Sequence, residues 1–491
     1  MNNRTGFSTA LRVSVCLLAI SAAGACDDDA SSPTDAAWDA GGDSTRDVDS
    51  TVADVDSTDL DGREAGGGTF SEQKLAWVLA LLNGPAEALT AETIASHFSP
   101  SALMALPAPA LAASLLETAD ELRPFTLLST APQRLGLVAS LRARHGVHAR
   151  LSLTVDIGTR TITGLQLQPA PDLDPDVGTF ASVSNRLQVV GARTAIAVSA
   201  LESLPGTAGL TCRTLEARND EEALPLGSLF KIYVLGAVLD RMERGEGSWT
   251  DTFTLQEKWK SLPSGVLQDR PAGTAIAFDD AVAKMISISD NTATDHLIHW
   301  LGRERVETQQ SVMGHGRPDL NIPFLTTREL FTLKLALSPA ERQLYIATSA
   351  SDRRQQLEGV IANTPVPPDL EARVAAWTAP RDVDTLEWFA TTADICRAYT
   401  TFATKFDVTA AAPAIRALAL NPGLPVDRNT FSYVGYKGGS EPGVLTFSWL
   451  LRRRSDNAWR VVTIMASDTA RGIPLFTTAY FAQAAVTFAG R

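Results

Sequence analysis

Ser228 and Lys231 stand three residues apart in the otherwise apolar run Leu224–Leu235. The Pro225-Leu-Gly227 turn predicts that a helix starts at or near Ser228. That helix is apolar nearly all round and is therefore expected to be buried, with Lys231 one turn on and on the same face as Ser228. An ammonium stripped of water loses basicity and becomes a usable proton acceptor near neutral pH. The first N–H groups of a helix, with its dipole, favour a developing oxyanion. Together these residue types and this spacing describe an activated serine nucleophile.

Spacing alone says little, because chance supplies roughly 0.6 Ser-x-x-Lys pairs in a chain of this composition. Ser71-Glu-Gln-Lys74 is a second copy. It opens a helix with a polar face, where the lysine can stay solvated. Only the Ser228 copy has company. Ser289-Asp-Asn291 follows 61 residues later, and Lys437-Gly-Gly439-Ser440 comes just before the apolar strand expected at Val444–Leu451. The chain has eight lysines, and the three motifs take two of them.

This ordered trio, spread over residues 180–491, resembles the active-site motifs of the serine β-lactamase (class A-like) and penicillin-binding-protein superfamily. The resemblance implies that Ser228 is the nucleophile of an acyl-enzyme and Lys231 its base. Ser289 would relay a proton to the leaving nitrogen, and Asn291 would hold Lys231 and the substrate amide. Lys437 would set the electrostatics around Ser289 and attract a substrate carboxylate. Gly439 and Ser440 would line the substrate, with the N–H groups of Ser228 and Ser440 forming the oxyanion hole. It implies small-molecule substrates (β-lactam, ester or D-Ala-D-Ala peptide) and no cofactor or metal. A catalytically silent, lipid-anchored binding protein is the competing class, and retention of all these residues argues against it.

The sequence also departs from the family. Gly438 stands where a Ser or Thr hydroxyl would grip the carboxylate, so Ser440 is expected to supply one. The 148 residues from Ser289 to Lys437 require an insertion. Gly316-Arg-Pro-Asp-Leu-Asn321 resembles the class A omega loop, but Arg317 falls where the deacylating Glu belongs. A guanidinium cannot activate water at working pH. Either Asp319 or Glu387 replaces that base, or deacylation is slow.

The elements that must position these groups follow from periodicity. Helices near 71–83, 90–98 and 109–121 precede alternating runs at 135–141 and 147–155 and a strand at 161–168. This predicts an α+β unit over 71–168, whose order resembles the cone-like steroid-isomerase/NTF2-like fold. Prolines mark 168–176 as a linker. Strands near 193–200 and 210–217, a helical region from 227 to about 424 and closing strands at 444–451 and 459–466 predict an α/β domain over 180–491. Its antiparallel sheet is built from both chain ends around an inserted helical region.

An export signal is expected over 1–26, where Arg4 and Arg12 precede the apolar Val13–Ala23 and the small residues before Cys26. It resembles a bacterial lipoprotein signal, implying lipidation at Cys26 and a cell-envelope or periplasmic protein held to a membrane by that anchor. Residues 27–70 are expected to form an acidic, disordered linker. Twelve Asp and one Glu against two Arg between 27 and 66 account for most of the net charge of −13. The folded part is thus nearly neutral, and no basic cluster suggests nucleic acid. Cys212 and Cys396 are read equally as a disulfide or as two buried thiols. His296 and His299 share one helix face, read as solvated rather than as a metal pair. Trp388-Phe389 is read as core.

Overall fold

The computed structural model describes residues 19–20, 69–206, 209–364, 367 and 369–491. Most of the expected export signal, Cys26 and the acidic stretch to residue 68 lie outside the described residues. The rest divides into two compact units, with the boundary along the chain between Gln168 and Pro169.

The first unit places four helices, Phe70–Asn83, Ala91–Ala95, Pro100–Ala105 and Ala108–Leu122, before an antiparallel sheet. Its order is Ala19–Ile20, Thr161–Pro169, His148–Asp156, Gly136–Arg142, Thr126–Gln133. Thr69 and Glu72 cap the first helix reciprocally, satisfying two backbone donors that the helix leaves open. Inward residues such as Leu75, Val78, Leu115, Leu141, Leu151 and Ile162 are buried, matching the 3.6 and 2.0 periods read from the sequence. The helix expected over 90–98 is instead short, and Ser99 caps the next one through the Ala102 N–H. The strand Thr126–Gln133 escapes pattern reading because it is exposed along its whole length and has no apolar alternation.

In the second unit, a five-stranded antiparallel sheet runs in the order Phe431–Glu441, Val444–Arg453, Trp459–Ser467, Arg193–Glu202, Thr211–Arg218. Its strands come from both ends of the unit, with the helical region inserted between them. Helix Leu475–Ala489, buried over most of its surface, packs on this sheet. Cys212 on the outermost strand is bonded to Cys396 in helix Thr392–Thr404, with Cα atoms 6.0 Å apart, which settles the open choice in favour of a disulfide.

Residues 168–176 are not a free linker. They form two short 3₁₀ turns, and buried Asp174 pairs with Arg186 at 2.7 Å and accepts from the Tyr480 hydroxyl. An acidic side chain with two strong donors anchors a proline-rich segment that composition alone would leave loose.

Helix Lys231–Glu243 runs through the core, with ten of its thirteen residues buried. Phe230 stacks on Trp388 at 3.7 Å between centroids. Trp388 is buried and donates Nε1 to Leu325 O at 3.2 Å. Each fully buried Leu, Ile or Phe here contributes about 1.5–3 kcal/mol, so the helix start is fixed by packing on every side.

Candidate active site

Ser228 is delivered by a short strand. Leu224–Pro225 pairs antiparallel with Phe389–Ala390, and Leu226 N donates to Trp388 O at 2.8 Å. Gly227 then takes φ +49°, a left-handed turn that favours glycine. The chain passes through the 3₁₀ turn Gly227–Phe230 directly into helix Lys231–Glu243.

Two glycines allow this turn to approach the edge strand. A Cβ on Gly227 would lie 2.8 Å from Ser440 N, and one on Gly439 would lie 2.4 Å from Ser228 N. The amide nitrogens of Ser228 and Ser440 therefore lie close to one another, as two donors of one oxyanion hole require.

Lys231 is fully buried, and its Nζ donates to Ser289 O at 2.6 Å, Ser289 Oγ at 3.0 Å and Asn291 Oδ1 at 2.7 Å. Lys437, also buried, reaches the same Ser289 Oγ at 3.2 Å and Gly438 O at 2.6 Å. One hydroxyl thus sits between two lysines. Ser289 holds this place with φ +60°, a conformation that costs a non-glycine residue about 1–3 kcal/mol and clusters at functional sites. Asp290 provides the support. Its Oδ1 caps the Asn291–Leu301 helix through Ala293 N at 2.8 Å, while Oδ2 accepts from Val266 N at 2.7 Å and Leu267 N at 3.0 Å. Asn291 is oriented by donating Nδ2 to Leu262 O at 2.9 Å.

Burial, then the charge of Lys437, holds Lys231 well below the usual lysine range, against the opposing pull of Asp290 and Asp295. Burial pushes Lys437 down to about 7. Two cations cannot share one hydroxyl cheaply, so the cluster favours one neutral amine that can accept a proton through Ser289.

The structure thus brings Ser228, Lys231, Ser289, Asn291, Lys437, Gly439 and Ser440 into one neighbourhood. It also adds a detail that spacing did not predict. No hydrogen bond joins Ser228 Oγ to Lys231 among the described residues, because the amine points at Ser289 and Asn291. Catalytic hydrogen bonds in unliganded sites commonly tighten only when substrate arrives.

Gly438 has a steric explanation. A Cβ there would fall 2.2 Å from the Tyr436 hydroxyl and 2.8 Å from Thr446 O, so Tyr436 fills the space a Ser or Thr would need.

Both guesses for a replacement deacylating base meet obstacles. Arg317 and Asp319 are largely exposed, at 65% and 62%, and paired at 2.9 Å. Arg317 holds Asp319 below the ordinary carboxylate range, making it a poorer base. Glu387 is buried beside Lys334 and Glu441, away from solvent. Asn321, the last residue of the omega-like segment, is spent on structure. It bonds Phe389 N at 2.7 Å, Phe389 O at 2.9 Å and Gln310 Oε1 at 2.7 Å.

The expected solvated histidine face needs correction. His296 is buried, with Nδ1 against Thr292 O at 2.7 Å and Nε2 accepting from Gln256 N at 2.8 Å, while His299 lies outside and stacks on Trp259. Both ring nitrogens of His296 are committed to backbone. The described residues contain no group of three or more metal-ligating side chains and no helix long and apolar enough to cross a membrane.

Sequence reasoning missed the Lys334–Glu387–Glu441 cluster. Its signal was a single lysine within the apolar run Phe331–Leu337.

Residues 198–377 match the β-lactamase enzyme family, a span that includes Ser228, Lys231 and Ser289–Asn291. Residues 69–159 match the N-terminal family of the ORF 12 gene product. No curated protein sequence matches the chain. Similar solved structures include a β-lactamase from Sphaerobacter thermophilus DSM 20745, 20% identical with a TM-score of 0.41, covering 63% of this chain and 96% of that one. A β-lactamase from Desulfarculus baarsii DSM 2075 is 18% identical with a TM-score of 0.39, covering 63% and 98%. One from Chitinophaga pinensis DSM 2588 is 14% identical with a TM-score of 0.41, covering 62% and 96%. The sheet built from both ends and the family match over 198–377 give the second unit a β-lactamase-like α/β fold, preceded by a separate N-terminal unit.

Proposed function

We propose that the second unit is a serine hydrolase that forms an acyl-enzyme at Ser228, acting on β-lactams or related amides and esters. The observation that carries this is Ser289 Oγ held between Lys231 and Lys437, beside a glycine-lined approach of the Ser228 and Ser440 amides. In this reading Ser228 Oγ attacks the substrate carbonyl and gives its proton to neutral Lys231. The carbonyl oxygen takes the negative charge and rests on the amides of Ser228 and Ser440. Collapse breaks the C–N or C–O bond, and the leaving atom receives a proton from Ser289, which Lys231 replenishes. Lys437, while charged, attracts a substrate carboxylate. Hydrolysis of the ester at Ser228 is slow, since Arg317 cannot activate water and neither Asp319 nor Glu387 is placed as a free base.

Export to an oxidising compartment fits the Cys212–Cys396 bridge, and a lipid anchor at Cys26 fits the signal that precedes it. Metabolic labelling with palmitate should be lost in Cys26→Ser. We read the first unit, helices then antiparallel sheet, as NTF2-like.

A fluorescent penicillin tests the central reading. Wild-type protein should become covalently labelled and Ser228→Ala should not. Equal labelling of both removes Ser228 as nucleophile. Stems ending in D-Ala-D-Ala and small aryl esters, run in parallel by intact mass, identify the acyl donor by which adduct forms fastest.

A further inference from the structure

Resting on the Ser228 reading, we propose that Glu387, Glu441 and Lys334 form a buried proton-sharing clamp that sets the distance between the Ser228 and Ser440 amides. These are positioning residues for the oxyanion hole.

The placement comes first. Glu441 follows Ser440 directly on the edge strand. Glu387 lies two residues before Phe389–Ala390, the strand paired with Leu224–Pro225 that delivers Ser228, and the Gly227 N–H favours its ionised form. Glu441 therefore sits on the segment that presents the Ser440 amide, and Glu387 on the segment hydrogen-bonded to the one that presents Ser228. Lys334, fully buried in the π-helical turn Thr332–Ala336, bonds Glu441 Oε1 and lies 3.8 Å from Glu387 Oε1.

The charges do not balance unless a proton is shared. Two carboxylates and one ammonium would leave a net negative charge in a site closed to water, which is costly. Glu387 Oε1 and Glu441 Oε2 are buried and meet no donor among the described residues. The two carboxyls are within hydrogen-bonding reach of each other. A single proton shared by the two carboxyls supplies the missing donor and removes the excess charge. Burial, together with the like charge of Glu387, pushes Glu441 well above the ordinary carboxyl range, and burial raises Glu387 too. Beyond Lys334, the charged group that reaches the cluster among the described residues is Arg381, which donates to Lys334 O at 2.5 Å and feels the charge of Glu441; the Arg342–Asp382 pair, at 2.6 Å, lies beside Arg381. Loss of the shared proton sets two buried anions against each other and parts the segments they hold.

The test uses the full chain, with Glu441→Gln and Glu387→Gln as independent variants. A glutamine amide donates to the remaining carboxylate and mimics the shared proton at every pH. Amide hydrogen exchange is followed at neutral and alkaline pH over 224–230 and 437–442. In the wild type these segments should accelerate at least tenfold beyond the alkaline rise seen elsewhere in the core, and in the glutamine variants they should not. A parallel rise in all three proteins overturns the clamp. Acylation by fluorescent penicillin over the same range is the second readout. An alkaline fall in rate that the variants lack supports the clamp's role at the oxyanion hole, and superimposable profiles overturn it. If the exchange difference appears while no protein is labelled, the Ser228 reading fails and the clamp stands.

Discussion

Two Ser-x-x-Lys segments lie in one chain, and their surroundings differ more than their sequences. Ser71–Lys74 opens the first helix of the N-terminal unit, where Thr69 and Glu72 do the capping. Lys74 is half-buried over the Phe70 ring at 5.4 Å, and its ammonium meets no hydrogen-bond acceptor among the described residues. Lys231 is fully enclosed, bonded to three acceptors, and faces a second buried lysine across Ser289. A motif becomes a candidate catalytic device when packing removes water from the amine and other segments supply a proton relay. Residue types alone do not do this.

The comparison breaks most sharply at the hydroxyls. Ser228→Ala should abolish acylation, a loss of at least about 10³-fold, while Ser71→Ala should leave the rate unchanged, both followed by fluorescent labelling. The amines come next. Lys231→Met should slow acylation by about 10²–10⁴-fold, and Lys74→Met should not. Equal losses would mean that the two settings are not distinct.

Stability gives a further contrast. Among the described residues only the second unit carries a disulfide, closing a loop of 184 residues. Cys212→Ser with Cys396→Ser should cost that unit about 2–5 kcal/mol in denaturant unfolding, with the first unit's transition unmoved.

The pH dependence of Lys437 is a smaller effect with a definite sign. Folding lowers this lysine to about 7, so the folded chain binds fewer protons than the unfolded chain between about 7 and the ordinary lysine value. Its contribution to stability therefore rises with pH across that window. Its charge follows the opposite course, so KM for a carboxylate-bearing β-lactam should climb as pH passes about 7, and the climb should vanish in Lys437→Gln. The smallest expected effect belongs to Asp319→Asn. Deacylation should stay within about twofold of wild type, measured as decay of the mass adduct, because this exposed carboxylate is already tied to Arg317.

Much of this was legible in the sequence because the relevant signals are local. Periodicity placed the inner strands of both sheets, and the Pro-Leu-Gly turn placed Ser228 at a helix start. The rest depends on contacts distant in sequence. Thr126–Gln133 is an exposed edge strand, so no apolar alternation marks it. The 168–176 segment reads as a linker until Asp174 meets Tyr480, 306 residues away. His296 looks solvated until Gln256 and Thr292 claim its nitrogens. Within the site, the three motifs were visible one by one. Their convergence on Ser289 Oγ required the fold, as did the Tyr436 hydroxyl that accounts for Gly438.

The most direct measurement is peptide-mapped mass spectrometry of the wild-type protein after brief exposure to a penicillin. The account predicts one acyl adduct, carried by the peptide containing Ser228 and persisting through digestion. An adduct on the Ser71 peptide, or no adduct with any acyl donor tried, would contradict it.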